Sequence, residues 1–479
     1  MYLSVIFVLI FLFVYFHFML NSFKFNYFPS VNIFSNMISI LVLLLLFLIS
    51  LLYQLSNNNL ITFYIFNSSY YVLGIDKLSV IFVMLTILLF ILCYVYNIKN
   101  ILVKINTWLF ITFSMFLGLV ITFIAQDLIL FLVGFEFVLI PLFWIVIEFG
   151  SRTNRVFASY FLVIITLFGS CFFLIALFLL FIENSTISFQ FLTIYSNFLS
   201  ESRQSLIWLF LLLGLIVKVP LIPLHLWLPE AHAEAPTIGS VLLAGVVLKL
   251  GTYGIIRCLI FIFSNAEIFF SSLLITFGIL NMLYAAMVSI IQLDIKKAIA
   301  YGSIAHIGLV VASLGETFNI SESGSILIII FHGIVSPLLF FIVGSLYDRI
   351  ATRNYYYFGS LSIFSPLLAL QWFFAVLGNV AFPGTSSFAG ELQVLISLVI
   401  LNPFIGLLII FCTFVNLIWN FLLMIRIIFI SVKNWSILFF QDISLKEFVI
   451  FSILNFFNIL PGIFVFDLLL YLEYSFYYI

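Results

Sequence analysis

Charge is scarce in this sequence. Of 479 residues, 7% are Asp, Glu, Lys or Arg, against about 25% in soluble domains. Hydrophobic residues make up 65%, and the mean hydropathy is +1.35. A water-soluble fold is excluded, and the chain reads as an integral membrane protein. Cysteine is equally sparse. Cys93, Cys171, Cys258 and Cys412 are scattered through apolar runs without paired spacing. Neither a disulfide framework nor a zinc site follows, and the four read as small buried hydrophobes. No CxxC, GxGxxG or nucleotide-binding loop occurs, so no redox-cofactor motif is present. The net charge is −1 and there is no basic patch, so nothing points to nucleic acid. The first twenty residues, MYLSVIFVLIFLFVYFHFML, lack the basic flank and small-residue cleavage site of a signal peptide. They are expected to form the first membrane helix.

What the chain has in abundance is apolar length. About 20 such residues cross a hydrocarbon core. Fourteen spans are predicted, near residues 3–20, 33–54, 77–97, 107–125, 128–148, 157–182, 206–234, 237–262, 268–291, 298–315, 324–347, 360–400, 403–430 and 447–470. The seventh and twelfth are broken. Loop charge tests the count independently: loops after odd-numbered spans hold twelve Lys and Arg residues, loops after even-numbered spans three. By the positive-inside rule the odd-numbered loops face the matrix or cytoplasm, and both termini face the other side. Glu148, Asp127 and Asp294 fall at helix ends and are expected to be solvated. The Phe-rich faces are expected to contact lipid.

The chain is organised around LLGLIVKVPLIPLHLWLPEAHAEAPTIGSVLLAGVVLKLGTYGIIR, residues 212–257. Lys218 and Lys249 lie deep in apolar runs. A charge at mid-bilayer costs about 2.5–3.5 kcal/mol on insertion scales. Between them stand Pro220, Pro223, Pro229 and Pro236, four of the eleven prolines, and proline inside a helix breaks or kinks it. The pattern predicts a broken helix followed by an intact one, each presenting a lysine to the interior. His225, Glu230, His232 and Glu234 occupy the same stretch. His225 caps carbonyls freed by the break on the plainer reading; the other three form a solvated mouth or, on a sharper one, a proton-collecting funnel. The twelfth span repeats the plan. Its first half stops at Phe382-Pro383-Gly384-Thr385-Ser386-Ser387, and Glu391 opens the second half. Broken helices five apart predict two inverted five-helix repeats, spans 4–8 and 9–13, an arrangement typical of transport folds. The expected divisions are 1–106, 107–262, 263–430 and 431–479.

Glu136, Lys218, Lys249 and Glu391 are therefore charged residues inside four spans, joined by His306 in span 10 and His332 in span 11. Buried ionisable groups close to one another have coupled proton occupancies. With water between them, such a set conducts protons. The plainer alternatives are a static Glu136–Lys218 ion pair that fixes helix packing, and histidines that merely hydrogen-bond neighbouring helices.

These motifs resemble a known family. KVPLIPLHLWLPEAHAEAPTIGSVLLAGVVLKLGTYG is similar to the signature of the antiporter-like subunits of respiratory complex I, in the subunit 4 group. FEFVLIPLFWIVIEFGSR, DIKKAIAYGSIAHIGLV, FHGIVSPLLFFIVGSLYDRIATR and FPGTSSFAGELQVL resemble the family's segments in spans 5, 10, 11 and 12. The resemblance runs from about residue 110 to 430. LPEAHAEAP and the glutamate at 391 separate the subunit 4 group from its paralogues; Glu148 departs from the pattern, at a helix end.

The resemblance implies an all-α proton channel of about fourteen helices. Glu136 and Lys218 would sense conformational or electrostatic change, Lys249 would be the central relay, and His306 and His332 would lead to Glu391 as the terminal site. NADH, FMN, iron–sulfur clusters and ubiquinone would act in other subunits, with no cofactor or metal in this chain. Partners would be the membrane-arm subunits, especially subunits 2 and 5, and the bilayer. The 63 phenylalanines, with many Ile, Tyr and Asn, fit AT-rich coding. They favour an organelle, and so the mitochondrial inner membrane with both termini in the intermembrane space. A cation/proton antiporter subunit of the multi-subunit type shares the lysines and breaks and is the main rival; a scaffold with a dead channel is the second.

Overall fold

A computed structural model describes residues 61–64, 72–97, 105–183, 187–316, 318–430 and 441–464. The first two predicted spans, near 3–20 and 33–54, lie outside them. Strands β1 (Ile61–Tyr64) and β2 (Val72–Ile75) form an antiparallel hairpin with Ile61 opposite Ile75. Among the described residues, the regular elements after it are helical. The helices are α1 (Lys77–Asn97), α2 (Ile105–Ile124), α3 (Leu128–Phe137), α4 (Leu139–Phe149), α5 (Arg155–Glu183), α6 (Glu201–Lys218) and α7 (Trp227–Glu234). They continue with α8 (Thr237–Ile260), α9 (Ser264–Ile291), α10 (Ile295–Leu314) and α11 (Asn319–Ile350). The last four are α12 (Pro366–Asn379), α13 (Ser386–Leu401), α14 (Pro403–Ile428) and α15 (Leu445–Ile463). Ten of these runs are long and apolar enough to cross a membrane, α3 and α4 counting as one. The two broken spans, α6–α7 and α12–α13, come in addition.

Burial sorts the helices. The helix α8 is wholly buried and α10 and α11 nearly so, whereas α5, α14 and α15 show much of their surface. The outer faces carry Phe137, Phe157, Phe168, Phe178 and Phe181. An apolar solvent accepts such faces, while the interior combines large apolar side chains with the buried polar and charged ones.

Local chemistry explains the interruptions. Pro141 has no N–H to offer the Phe137 carbonyl, and the α3–α4 helix pauses at Val138, just past Glu136. Between α6 and α7, Pro220 and Pro223 withhold two donors. The Leu221 N–H shifts to the Ile216 carbonyl at 3.2 Å, and the Val217 carbonyl accepts from the Trp227 indole at 2.9 Å. Asn281 on α9 braces the gap: its Oδ1 accepts from the Ile222 N–H at 3.2 Å, and its Nδ2 donates to the Ile304 carbonyl at 3.2 Å. The second break, at 380–385, is braced in the same way. Ser387 Oγ donates to the Gly378 carbonyl at 2.5 Å, and Asn379 Nδ2 donates to Asn420 Oδ1 at 2.7 Å.

The helix α8 carries two π-helical segments, Leu243–Val247 and Ile255–Ile260, on either side of Leu248–Gly254. Such bulges recur at functional sites. The second holds Arg257, which makes a buried ion pair with Asp76 at the foot of the hairpin. Gln126 Nε2 also donates to Asp76, at 3.1 Å.

Candidate functional site

Four of the six expected residues come together as one run through the buried core. Lys249 lies between the π segments of α8. Its Nζ donates to the Ala244 carbonyl at 2.5 Å and lies 3.0 Å from His332 Nδ1 on α11. Gly333, next to His332, keeps this approach open: a β-carbon there would meet Leu85 Cδ2 at 2.7 Å and Lys249 Cε at 3.4 Å. The His332 and His306 rings stand with centroids 5.5 Å apart. His306 Nδ1 on α10 lies 3.3 Å from Glu391 Oε1 on α13.

Space accompanies the run. Lys249, His306 and His332 border a void of about 10 Å³, on the scale of one water. Beyond it His306 and Glu391 open on a cavity of about 200 Å³, whose other polar walls include Asn379, Thr413 and Asn416. Water in a cavity with several polar partners is a stable part of a structure.

Glu136 and Lys218 form a second set. Lys218 Nζ donates to the Phe135 carbonyl at 3.3 Å and sits 4.5 Å from the Phe135 ring centroid. Glu136 is its electrostatic partner, yet neither Glu136 oxygen accepts a hydrogen bond from it. The static ion pair weighed from the sequence is therefore not the geometry found: the two charges face each other without direct contact. The sets adjoin through backbone, where Gly251 on α8 packs against the Lys218–Val219 peptide.

The residues around α7 differ from the sequence reading. His232 is fully buried, its ring stacked on Phe340 with centroids 4.6 Å apart. Glu234 is buried as well, so this end of the broken helix is no solvated mouth; only Glu230 reaches outwards, paired with Lys297 at 2.5 Å. Lys296 and Arg353 read as loop charges but are buried. Lys296 Nζ donates to the Ala235 carbonyl at 2.9 Å, and Arg353 donates to the Ala233 carbonyl and, at 3.0 Å, to Ser151 Oγ. Both serve the end of α7, where carbonyls lack helical partners. His232 lies in the electrostatic range of both Lys296 and Lys249. The His225 ring stands edge-on to Tyr284, 5.2 Å between centroids. Asp127 is buried, not solvated. Among the described residues, no cluster of His, Cys, Asp and Glu could hold a metal ion.

Comparison with known proteins identifies the family and the fold. A family model described as NADH:quinone oxidoreductase/Mrp antiporter, transmembrane, matches residues 125–416. NADH-ubiquinone oxidoreductase chain 4 of Acanthamoeba castellanii is 39% identical over 398 residues, 82% of this chain and 79% of that protein. The chain 4 of Chondrus crispus is 39% identical over 413 residues, 84% of each. A chain of respiratory complex I from Thermus thermophilus with bound NADH superimposes with a TM-score of 0.80 at 23% identity, over 91% of this chain and 93% of that one. One from the Mrp complex of Dietzia sp. DQ12-45-1b gives 0.82 at 16% identity, over 92% and 91%. At those identities the two structures share the fold. The match over most of the sequence, on a helical membrane fold with a buried Lys–His–Glu run, places the chain in the NADH:quinone oxidoreductase/Mrp antiporter transmembrane family, among the chain 4 relatives.

Proposed function

We propose that the chain carries protons across the membrane as a membrane-arm subunit of an NADH:ubiquinone oxidoreductase, with Lys249, His332, His306 and Glu391 as its relay. One observation carries this reading: the four groups follow one another at 3.0 Å, 5.5 Å between ring centroids and 3.3 Å, beside voids fit for water. The outer steps are contacts of 3.0 and 3.3 Å and the middle one spans a gap that one water can bridge, the spacing that proton transfer requires.

Glu136 and Lys218 act as the responsive pair. Unit charges 4 Å apart interact by about 4 kcal/mol at an effective dielectric of 20. Moving one charge through 100 mV costs about 2.3 kcal/mol. A pair that faces without touching can tighten or loosen, and the energy at stake matches the task. The two broken spans each bring one member of the machinery, Lys218 and Glu391, to an interior end. That supports two inverted repeats, spans 4–8 and 9–13, with the divisions 107–262 and 263–430.

Electron transfer from NADH through FMN and iron–sulfur clusters to ubiquinone would belong to other subunits, and this chain would hold no redox centre. Its neighbours would be the antiporter-like subunits 2 and 5, in the mitochondrial inner membrane with both termini in the intermembrane space. Gentle extraction, native-gel separation and in-gel NADH staining test the assignment. Co-migration with a large NADH-oxidising band supports it. Migration in a small complex that exchanges sodium for protons without NADH activity would replace it with the cation/proton antiporter reading.

A further inference from the structure

The two ring nitrogens of His306 have different neighbours, and the difference is decided one residue further away. Nδ1 faces Glu391 Oε1 at 3.3 Å, and Nε2 faces Asn416 Nδ2 on α14 at 3.1 Å. An amide can present either its oxygen or its NH₂, so Asn416 alone would leave the tautomer of His306 open. Trp419 closes the question. Its indole Nε1–H, which can only donate, is bonded to Asn416 Oδ1. The amide oxygen is thereby committed, the NH₂ must face His306, and Nε2 must be the lone-pair acceptor. The ring proton then sits on Nδ1, the nitrogen that lies 3.3 Å from Glu391 Oε1.

The device is firmly seated. Asn420 Nδ2 donates to the Asn416 carbonyl at 3.0 Å, and Asn420 Oδ1 accepts from Asn379 at the second helix break. Trp419 packs over Gly302 on α10, where a β-carbon would come within 2.2 Å of Cζ2. Asn416, Trp419 and Asn420 are all buried.

We propose that Asn416, oriented by Trp419, is a positioning residue that holds His306 as the neutral Nδ1–H tautomer and so directs its proton to Glu391. The inference rests on the relay reading above. A proton arriving from the His332 side binds Nε2 and displaces the Asn416 donor. The imidazolium then loses its Nδ1 proton to the Glu391 carboxylate, leaving a neutral ring with the proton on Nε2 and a protonated Glu391. That product opposes N–H to the Asn416 NH₂. The ring returns to the Nδ1–H form by exchange with water in the adjoining cavity, which takes the Nε2 proton and returns one to Nδ1, so the proton count is unchanged and Glu391 keeps the transferred proton. The ionisable groups around His306 are Glu391 from α13, His332 from α11 with Lys249 behind it, and Cys412 from α14, which lines the same cavity.

The test is NADH-driven proton pumping per NADH oxidised, in sealed membrane vesicles containing the assembled complex, followed between about pH 6 and 9, the range around histidine titration. Asn416→Asp keeps the shape but accepts from Nε2–H, so the imidazolium gains a carboxylate on each side. Its pH profile is expected to move to higher pH by about one unit or more, with a several-fold loss of pumping near neutrality. Asn416→Leu removes the lock without adding charge and is expected to lower pumping with a smaller shift. Trp419→Phe keeps an aromatic ring but frees the amide, and should shift the profile as Asn416→Leu does. A role in packing alone would lower the amount of assembled complex in all three and leave the pH profile of what assembles unchanged; that result overturns the proposal. His306→Ala separates the two claims. If it pumps normally, the relay reading fails; if it does not pump while Asn416→Asp keeps the wild-type profile, only the Asn416 proposal fails.

Discussion

Replacing Lys249 by methionine removes the ammonium and keeps most of the side chain's volume. Two acceptors lose their donor, the Ala244 carbonyl in the π segment and His332 Nδ1. An unsatisfied buried acceptor costs about 1–3 kcal/mol, and His332 can reduce its share by changing tautomer. Against this, the fold no longer buries an ammonium, a penalty of several kcal/mol. The balance is within a few kcal/mol of zero, so assembly is expected to survive. Proton transfer is not. Losing a positioned proton carrier costs about 10²- to 10⁴-fold in rate, or roughly 3–5 kcal/mol of barrier. Pumping per NADH, read by quenching of a ΔpH-sensitive dye in sealed vesicles, should collapse while the NADH-oxidising band on a native gel persists. Lys249→Arg sharpens the test. Arginine keeps the charge but does not release its proton in proteins. It should pump as poorly as Lys249→Met if exchange of a proton is the role. Near-normal pumping by Lys249→Met would refute the relay, and near-normal pumping by Lys249→Arg would reduce Lys249 to a fixed charge.

Lys218→Ala and Glu136→Gln are expected to lower coupled turnover at least tenfold with the complex still assembled, because no direct hydrogen bond between the two is lost; near-normal pumping in either would remove the pair from the mechanism. Arg257→Leu leaves Asp76 as an uncompensated buried charge, at a cost of about 3–5 kcal/mol. It should reduce the complex recovered and its thermal midpoint, and Asp76→Leu combined with Arg257→Leu should restore much of both; equal loss in the double variant would count against the ion pair as the cause.

The charged members of the site were legible because the background is so apolar. A lysine in LLAGVVLKLGTYG has no surface to explain it, and the prolines around Lys218 and at Pro383 announce the breaks. The amides were not legible. Asn281, Asn416 and Asn420 look alike in a sequence, and only tertiary neighbours reveal that one braces a gap and another orients a histidine. Nor were Lys296 and Arg353. Standing at helix ends among other basic residues, they carry the signature of loop charge, and their burial depends on where α7 ends. The relation between Glu136 and Lys218 was half legible: the sequence brings the two charges near each other, while the gap between them depends on the pause at Val138 and on Lys218 turning to the Phe135 carbonyl.

Lys296 and Arg353 also link the making of this protein to its final form. Positive charge near the end of a span keeps its loop from crossing the membrane during insertion. In the folded chain the same two side chains have left the surface and hold the Ala235 and Ala233 carbonyls. By the positive-inside reading of the sequence, charge that would mark the loop in the nascent chain becomes the cap of the broken helix in the mature one. A substitution there acts twice: glutamine could keep a hydrogen bond to the carbonyl yet weaken the address, and a lysine moved a few residues along could keep the address yet leave α7 uncapped.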